Sequence, residues 1–181
     1  MNQIPVIKTE RLILRPFELS DASDVQRYAG DYDIARTVAN IPYPYEDGMA
    51  EEWINSHAEK FEENNELTLA ITHKQKKYLI GAIGLVRIAA EHQHAEMGYW
   101  IGKPFWGNGY CSEAARALLD FSFNSLKLNR VFAFHFAHNP ASGRVLQKIG
   151  MTHEGRLRKH IIKWDDYVDL EVYGILIEEL D

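Results

Sequence analysis

A single cysteine, Cys111, stands among 181 residues, which excludes an internal disulfide and with it the disulfide-stapled secreted folds. Long hydrophobic runs are missing too. No apolar stretch approaches the roughly 20 residues of a membrane span. The N-terminus has no apolar segment before a small-residue cleavage site, so secretion is not expected and the chain reads as cytoplasmic. Basic residues are the minority, 20 Lys and Arg against 26 Asp and Glu, for a formal net charge of −6. That balance disfavours a general nucleic-acid binder, which carries a basic face. It suits a cationic or amine substrate drawn in by steering. Repeats, low-complexity tracts and long linkers are also absent.

What remains is ordinary globular material, 46% hydrophobic and 25% charged, in a length that suits one domain over residues 1–181. Ile7 to Arg15 alternates as a strand would, and Ser20-Asp21 can cap a helix to about Tyr28. Asn40 to Asp47, with two prolines, reads as a loop. A helix then places Met49, Trp53, Ile54, His57 and Phe61 on one face and ends near Asn64-Asn65. Leu67–Thr72, Tyr78–Val86 and His94–Ile101 read as strands. A helix over Glu113–Leu126 turns Ala115, Leu118, Leu119, Phe123 and Leu126 inward. Val131–Ala137 is an aromatic-rich strand. Asn139, Pro140 and Gly150 mark the cap, first position and stop of a short helix. Two strands, near Thr152–Ile161 and Tyr167–Leu176, close an α/β mixed sheet with helices on both faces.

The run Trp106-Gly107-Asn108-Gly109-Tyr110-Cys111-Ser112 lies between a strand and a helix. Strand, glycine loop and helix start can present free backbone N–H groups, with a favourable dipole, to an anion. No Lys precedes Ser112, so the GxxxxGK[ST] phosphate loop is absent. No third glycine completes GxGxxG, so the dinucleotide fingerprint fails as well. An anion cradle and an ordinary glycine loop both remain open on these residues.

Glu96-Met97-Gly98-Tyr99-Trp100-Ile101-Gly102, the Trp106–Ala114 loop and Asn139-Pro140-Ala141-Ser142 resemble the GNAT superfamily of acetyl-CoA-dependent N-acetyltransferases. Thr9-Glu10-Arg11-Leu12-Ile13-Leu14-Arg15-Pro16 and Trp164-Asp165-Asp166-Tyr167-Val168-Asp169 fit its ribosomal-protein N-terminal acetyltransferase branch. The five short matches fall in the family's order along nearly the whole chain. The resemblance implies a single domain, with a mostly antiparallel sheet of about seven strands splayed in the middle. It also implies direct acetyl transfer from acetyl-CoA to a primary amine, without a metal.

The resemblance also carries site roles. Backbone N–H groups of Gly107, Asn108, Gly109, Tyr110, Cys111 and Ser112 would cradle the pyrophosphate. The family pattern is Arg/Gln-x-x-Gly-x-Gly/Ala; Trp106 stands at its first position and Cys111 at its last, which puts a side-chain phosphate contact in doubt. Tyr99, Trp100 and Ile101 would offer backbone edge to the pantetheine arm, with Ile101 N–H or a neighbour as oxyanion donor. Asn139 would contact pantetheine and is equally an N-cap. Ser142 would protonate the thiolate, with a tyrosine or water competing. Lys148 could reach a phosphate or simply be solvated. Glu96, on the strand that meets the cofactor, is the first candidate base, or else a sheet residue paired with a cation. His135 is second, against a core histidine. Where the branch sometimes has a glutamate base, this chain has Ile161. His92/His94 and His135/His138 lack a third ligand at a familiar spacing, and no metal is expected. Cys111 reads as structural.

The favoured acceptor is the N-terminal α-amine of a protein; a polyamine, amino acid or antibiotic amine is the alternative. A non-catalytic acetyl-CoA sensor is the reading from another class. A homodimer is left open, and neither a membrane nor a nucleic acid is expected as partner.

Overall fold

The computed structural model describes residues 3–63 and 66–180. Eight strands form one sheet: β1 (Ile7–Lys8), β2 (Leu12–Arg15), β3 (Leu67–His73), β4 (Leu79–Ala89), β5 (His94–Ile101), β6 (Arg130–Phe136), β7 (Thr152–Lys163) and β8 (Asp166–Leu176). Their order is β1-β2-β3-β4-β5-β6-β8-β7, and every neighbouring pair is antiparallel except β5 and β6. The helices are α1 (Ala22–Ala29), α2 (Tyr32–Ala35), α3 (Met49–Glu62), α4 (Tyr110–Asn124) and α5 (Pro140–Lys148).

The helices divide between two faces because the strands bury side chains on both. On one face Leu118, Leu119 and Phe123 of α4 and Leu146 of α5 pack with Leu69, Leu85, Met97 and Val131. On the other, Val25 of α1 and Ile54 of α3 pack with Ala82 and Trp100. A sheet apolar on both sides needs cover on both.

Two sequence expectations need correction. Ile7–Arg15 is two short strands, not one: Thr9 N–H donates to Leu12 O at 3.0 Å, closing a turn that pairs Ile7 with Leu14. That split gives the sheet its eight strands, in keeping with the about seven expected. The helix expected from Glu113 starts at Tyr110, because Gly109 takes a left-handed φ of 77° and turns the chain directly into it. The expected end of α3 at Asn64-Asn65 lies outside the described residues.

Candidate active site

β5 and β6 pair only at His94↔Arg130, Ala95↔Val131 and Glu96↔Phe132. β5 runs on to Ile101 and β6 to Phe136 without pairing each other, so a gap opens in mid-sheet. Which groups face it follows from register. Gly102 N–H donates to Ile80 O at 2.8 Å across β4. Backbone direction alternates along an antiparallel strand, so Trp100 and Gly98 also turn to β4, while the N–H groups of Tyr99 and Ile101 face the gap. Trp100 therefore leaves the expected cofactor edge: its backbone is spent on β4 and its side chain is buried with α1 and α3 on the far face.

The glycine loop sits at the wide end of this gap. Gly107 and Gly109 both have φ of 77°, and such alternation leaves successive N–H groups turned to one side. The N–H groups of Gly109, Tyr110, Cys111 and Ser112 find no acceptor among the described residues, which is the donor set a pyrophosphate would use. Trp106 cannot offer its indole there, because Nε1 donates to Ile101 O at 2.7 Å. Asn108 Nδ2 donates to Phe105 O and Trp106 O, both at 3.1 Å.

Arg11, which no sequence signal marks as a site residue, lies against the loop. Its Nη1 donates to Asn108 O at 3.0 Å, its guanidinium lies 4.8 Å over the Tyr110 ring, and a Cβ on Gly109 would sit 3.6 Å from Nη2. Glu113 anchors it, accepting from Arg11 Nε at 2.6 Å, Arg11 N–H at 2.8 Å and Thr9 Oγ1 at 2.6 Å. Burial pushes the Glu113 carboxyl up, yet these donors outweigh it and hold the carboxyl below its ordinary value. The cation missing from the loop thus arrives from the N-terminal hairpin, a hundred residues upstream in sequence. No local pattern could have announced it.

Across the gap, the Tyr99 hydroxyl lies 2.9 Å from Ser142 Oγ and 3.2 Å from Ser142 O. Burial raises the Tyr99 phenol well above its usual range, Cys111 adds to the rise, and the bond with Ser142 pulls it back. Burial likewise raises the Cys111 thiol, leaving little thiolate at neutral pH. Ser142 is placed by the cap of α5, where the Asn139 side chain accepts from Ser142 N–H at 3.4 Å. Tyr99, Cys111, Asn139 and Ser142 are thus brought together on the α4–α5 face. Lys148 is at the opposite end of α5, exposed, with its carbonyl accepting from Arg116 Nη2 at 2.9 Å.

The two candidate bases are not brought together. Glu96 sits opposite Phe132 in register, and His135 lies three residues further along β6, so their side chains emerge on opposite faces. His135 is buried under α5: its Nδ1 is 2.8 Å from Phe136 O, and a Cβ on Gly143 would come 2.7 Å from its Nε2. It is a packed histidine, 7% exposed. Glu96 is ion-paired to Arg87 at 2.8 Å. Burial raises its carboxyl more than Arg87 lowers it, and the net shift is upward. It stands at the closed end of the gap, about 16 Å along the strand from Ile101.

Of the N-terminal aromatics, Tyr28 packs on Phe105 and Trp53 on Phe17 and His57. Tyr32 and Tyr43 instead stay exposed and meet Trp164 of the β7–β8 turn, with ring centroids 5.5 and 5.8 Å from it. Lys163 holds that turn in place, its Nζ donating to Ile41 O at 2.6 Å, Val38 O at 2.8 Å and Ala39 O at 3.3 Å.

The geometry has counterparts. The model of the acetyltransferase (GNAT) domain matches residues 11–152. The uncharacterized N-acetyltransferase YnaD of Bacillus subtilis is 34% identical over 96% of this chain and 98% of its own. A GNAT-family acetyltransferase structure from Bacillus anthracis superposes with a TM-score of 0.84 at 30% identity, covering 97% of this chain and 100% of that one. The ribosomal-protein-serine acetyltransferase of Escherichia coli is 33% identical over 55% of the chain and 56% of its own length. A spermidine N(1)-acetyltransferase of Vibrio cholerae is 26% identical over 92% and 93%. With the split sheet, the glycine loop and the asparagine-capped helix in the family's order, and its domain matched over most of the chain, this protein belongs to the GNAT family of acetyltransferases.

Proposed function

We propose that this acetyltransferase, acting as one unit over residues 1–181, moves the acetyl group of acetyl-CoA onto the N-terminal α-amine of a protein. Acetyl-CoA supplies an activated thioester. The N–H groups from Gly109 to Ser112 hold the pyrophosphate, with Arg11 adding charge beside them. The N–H groups of Tyr99 and Ile101 hold the pantetheine arm, and that of Ile101 donates to the thioester oxygen. The Ser142 hydroxyl, fed by the protonated Tyr99 phenol, delivers a proton to the departing sulfur.

The observation supporting the α-amine is the distance of the first candidate base: Glu96 lies about 16 Å along β5 from Ile101. Glu96 is held by Arg87 and takes the acceptor's proton only through water. A lysine amine, pKa about 10.4, would arrive charged, whereas an α-amine at about 7.7–8.0 is partly neutral already. Relatives with either a ribosomal-protein or a spermidine acceptor exist, so kinetics must decide. The test is thiol release from acetyl-CoA with peptides beginning in Ala, Ser or Met, a lysine peptide, spermidine, free amino acids and an aminoglycoside. The N-terminal peptides should accelerate release, with kcat/KM rising with pH to a plateau near 8. Acceleration by spermidine alone would overturn the assignment. Tight acetyl-CoA binding with no accelerating amine would favour a sensor.

A further inference from the structure

The ladder between β7 and β8 breaks near the mouth of the gap. Leu157 pairs with Leu170 and Ile161 with Val168, so Arg158, Lys159 and His160 stand opposite Asp169 alone. The bulge turns on Lys159, at a left-handed φ of 50°, whose N–H donates to Asp169 Oδ1 at 2.8 Å. Asp169 O accepts from Ala137 N–H at 2.9 Å, which ties the bulge to the segment entering α5. All three side chains are exposed, beside an open basin of about 630 Å³ that Arg156, Leu157 and Asp169 complete. Arg156 is committed to Glu171. Arg158 and the Lys159 ammonium have no carboxylate partner among the described residues.

Adjacent unpaired cations are out of character for a chain of net charge −6. Charged bulges do guard edge strands against pairing, and they also cluster beside active sites. Position separates the two uses. β5 and β6 run parallel, so the glycine loop, the β6 exit and this bulge share one end of the sheet. The bulge lies two strand spacings beyond β6, about 10 Å, on the side of the gap away from the glycine loop. A cofactor phosphate held at α4 is on the other bank.

We propose that Arg158 and Lys159 dock carboxylates of the acceptor chain a few residues after its reactive amine, making an acidic protein N-terminus the preferred substrate. This rests on the reading of the acceptor as a protein N-terminus. An extended chain covers about 3.3–3.6 Å per residue, which puts the docked acids near the fourth to sixth positions. The same cations repel a polyamine.

The experiment uses two peptides with the same first three residues, one with Asp and Glu at positions four to six and one with Asn and Gln there. At low ionic strength the acidic peptide should show a KM about fivefold lower, the size that two exposed ion pairs give. The preference should vanish in high salt. It should vanish also in Arg158→Ala with Lys159→Asn, asparagine being tolerant of left-handed φ, while the KM for acetyl-CoA stays unchanged. Arg158→Glu, a single exposed change, provides a second variant and should reverse the preference. Equal KM values for the two peptides would overturn the docking while leaving the acceptor assignment standing. Acetylation of spermidine and neither peptide would overturn both. The docking is equally overturned if the variants raise the KM for acetyl-CoA, lose binding to a short RNA oligonucleotide, or aggregate with peptide preference intact.

Discussion

At the residue scale, the chemistry rests on a few atoms whose surroundings set their protonation. Ser142 and Tyr99 share one hydrogen bond, and burial keeps the phenol protonated. Ser142→Ala should lower kcat roughly tenfold to a hundredfold, with the KM for acetyl-CoA within about twofold. Steady-state kinetics at saturating acceptor reads this, and a change confined to KM would make Ser142 a binding residue. Gly109→Glu should cut CoA affinity at least roughly tenfold in calorimetry, because a side chain at φ 77° is strained and a carboxylate would meet the bound anion. The residue types here were readable in sequence, and their orientation was not. Trp106 at the first position of the family pattern put a side-chain phosphate contact in doubt; its indole bond to Ile101 O leaves the cradle to the backbone. His135 was a candidate base until its parity on β6 put it beneath Gly143.

Elements supply the supports. The N-terminal hairpin reaches α4 through Thr9, Arg11 and Glu113, so Arg11→Ala should raise the KM for acetyl-CoA while sparing kcat, a split visible in initial rates. α3 docks through His57, which is 7% exposed, lies between Phe17 and Trp53, and has no hydrogen-bond partner on either ring nitrogen among the described residues. Burial lowers its pKa from 6.5 to about 4, and nearby Lys60 adds to this. The unfolded chain therefore binds the extra proton between those values. Stability is fully present above about 6.5 and falls as pH drops toward 4, by up to roughly 3 kcal/mol. Urea titrations from pH 8 to 4 should show the loss, and His57→Leu should flatten it. Strand and helix positions were mostly legible because apolar spacing survives one-dimensional reading. The N-terminal hairpin was not, since its turn is closed by a backbone bond and its alternation runs straight through.

For the whole molecule, the two halves of the sheet are joined through the three-pair ladder of β5 and β6. A ligand bridging the glycine loop, β5 and α5 clamps the halves together. CoA at a hundred times its Kd should add about 2.7 kcal/mol and raise Tm by roughly 5–10 °C in a thermal scan. No rise would remove the cradle assignment. Order along the chain already carried the fold class, the glycine loop and the capped helix, because turn chemistry and periodicity are local and act within a few residues. The third dimension added the contacts that join distant segments: Arg11 beside Gly109, Tyr99 against Ser142, Lys163 under the loop at Val38–Ile41, and Arg158 and Lys159 opposite Asp169 at the mouth of the gap. Such pairings depend on which way each side chain leaves its strand and where two strands part, and only the assembled sheet specifies both.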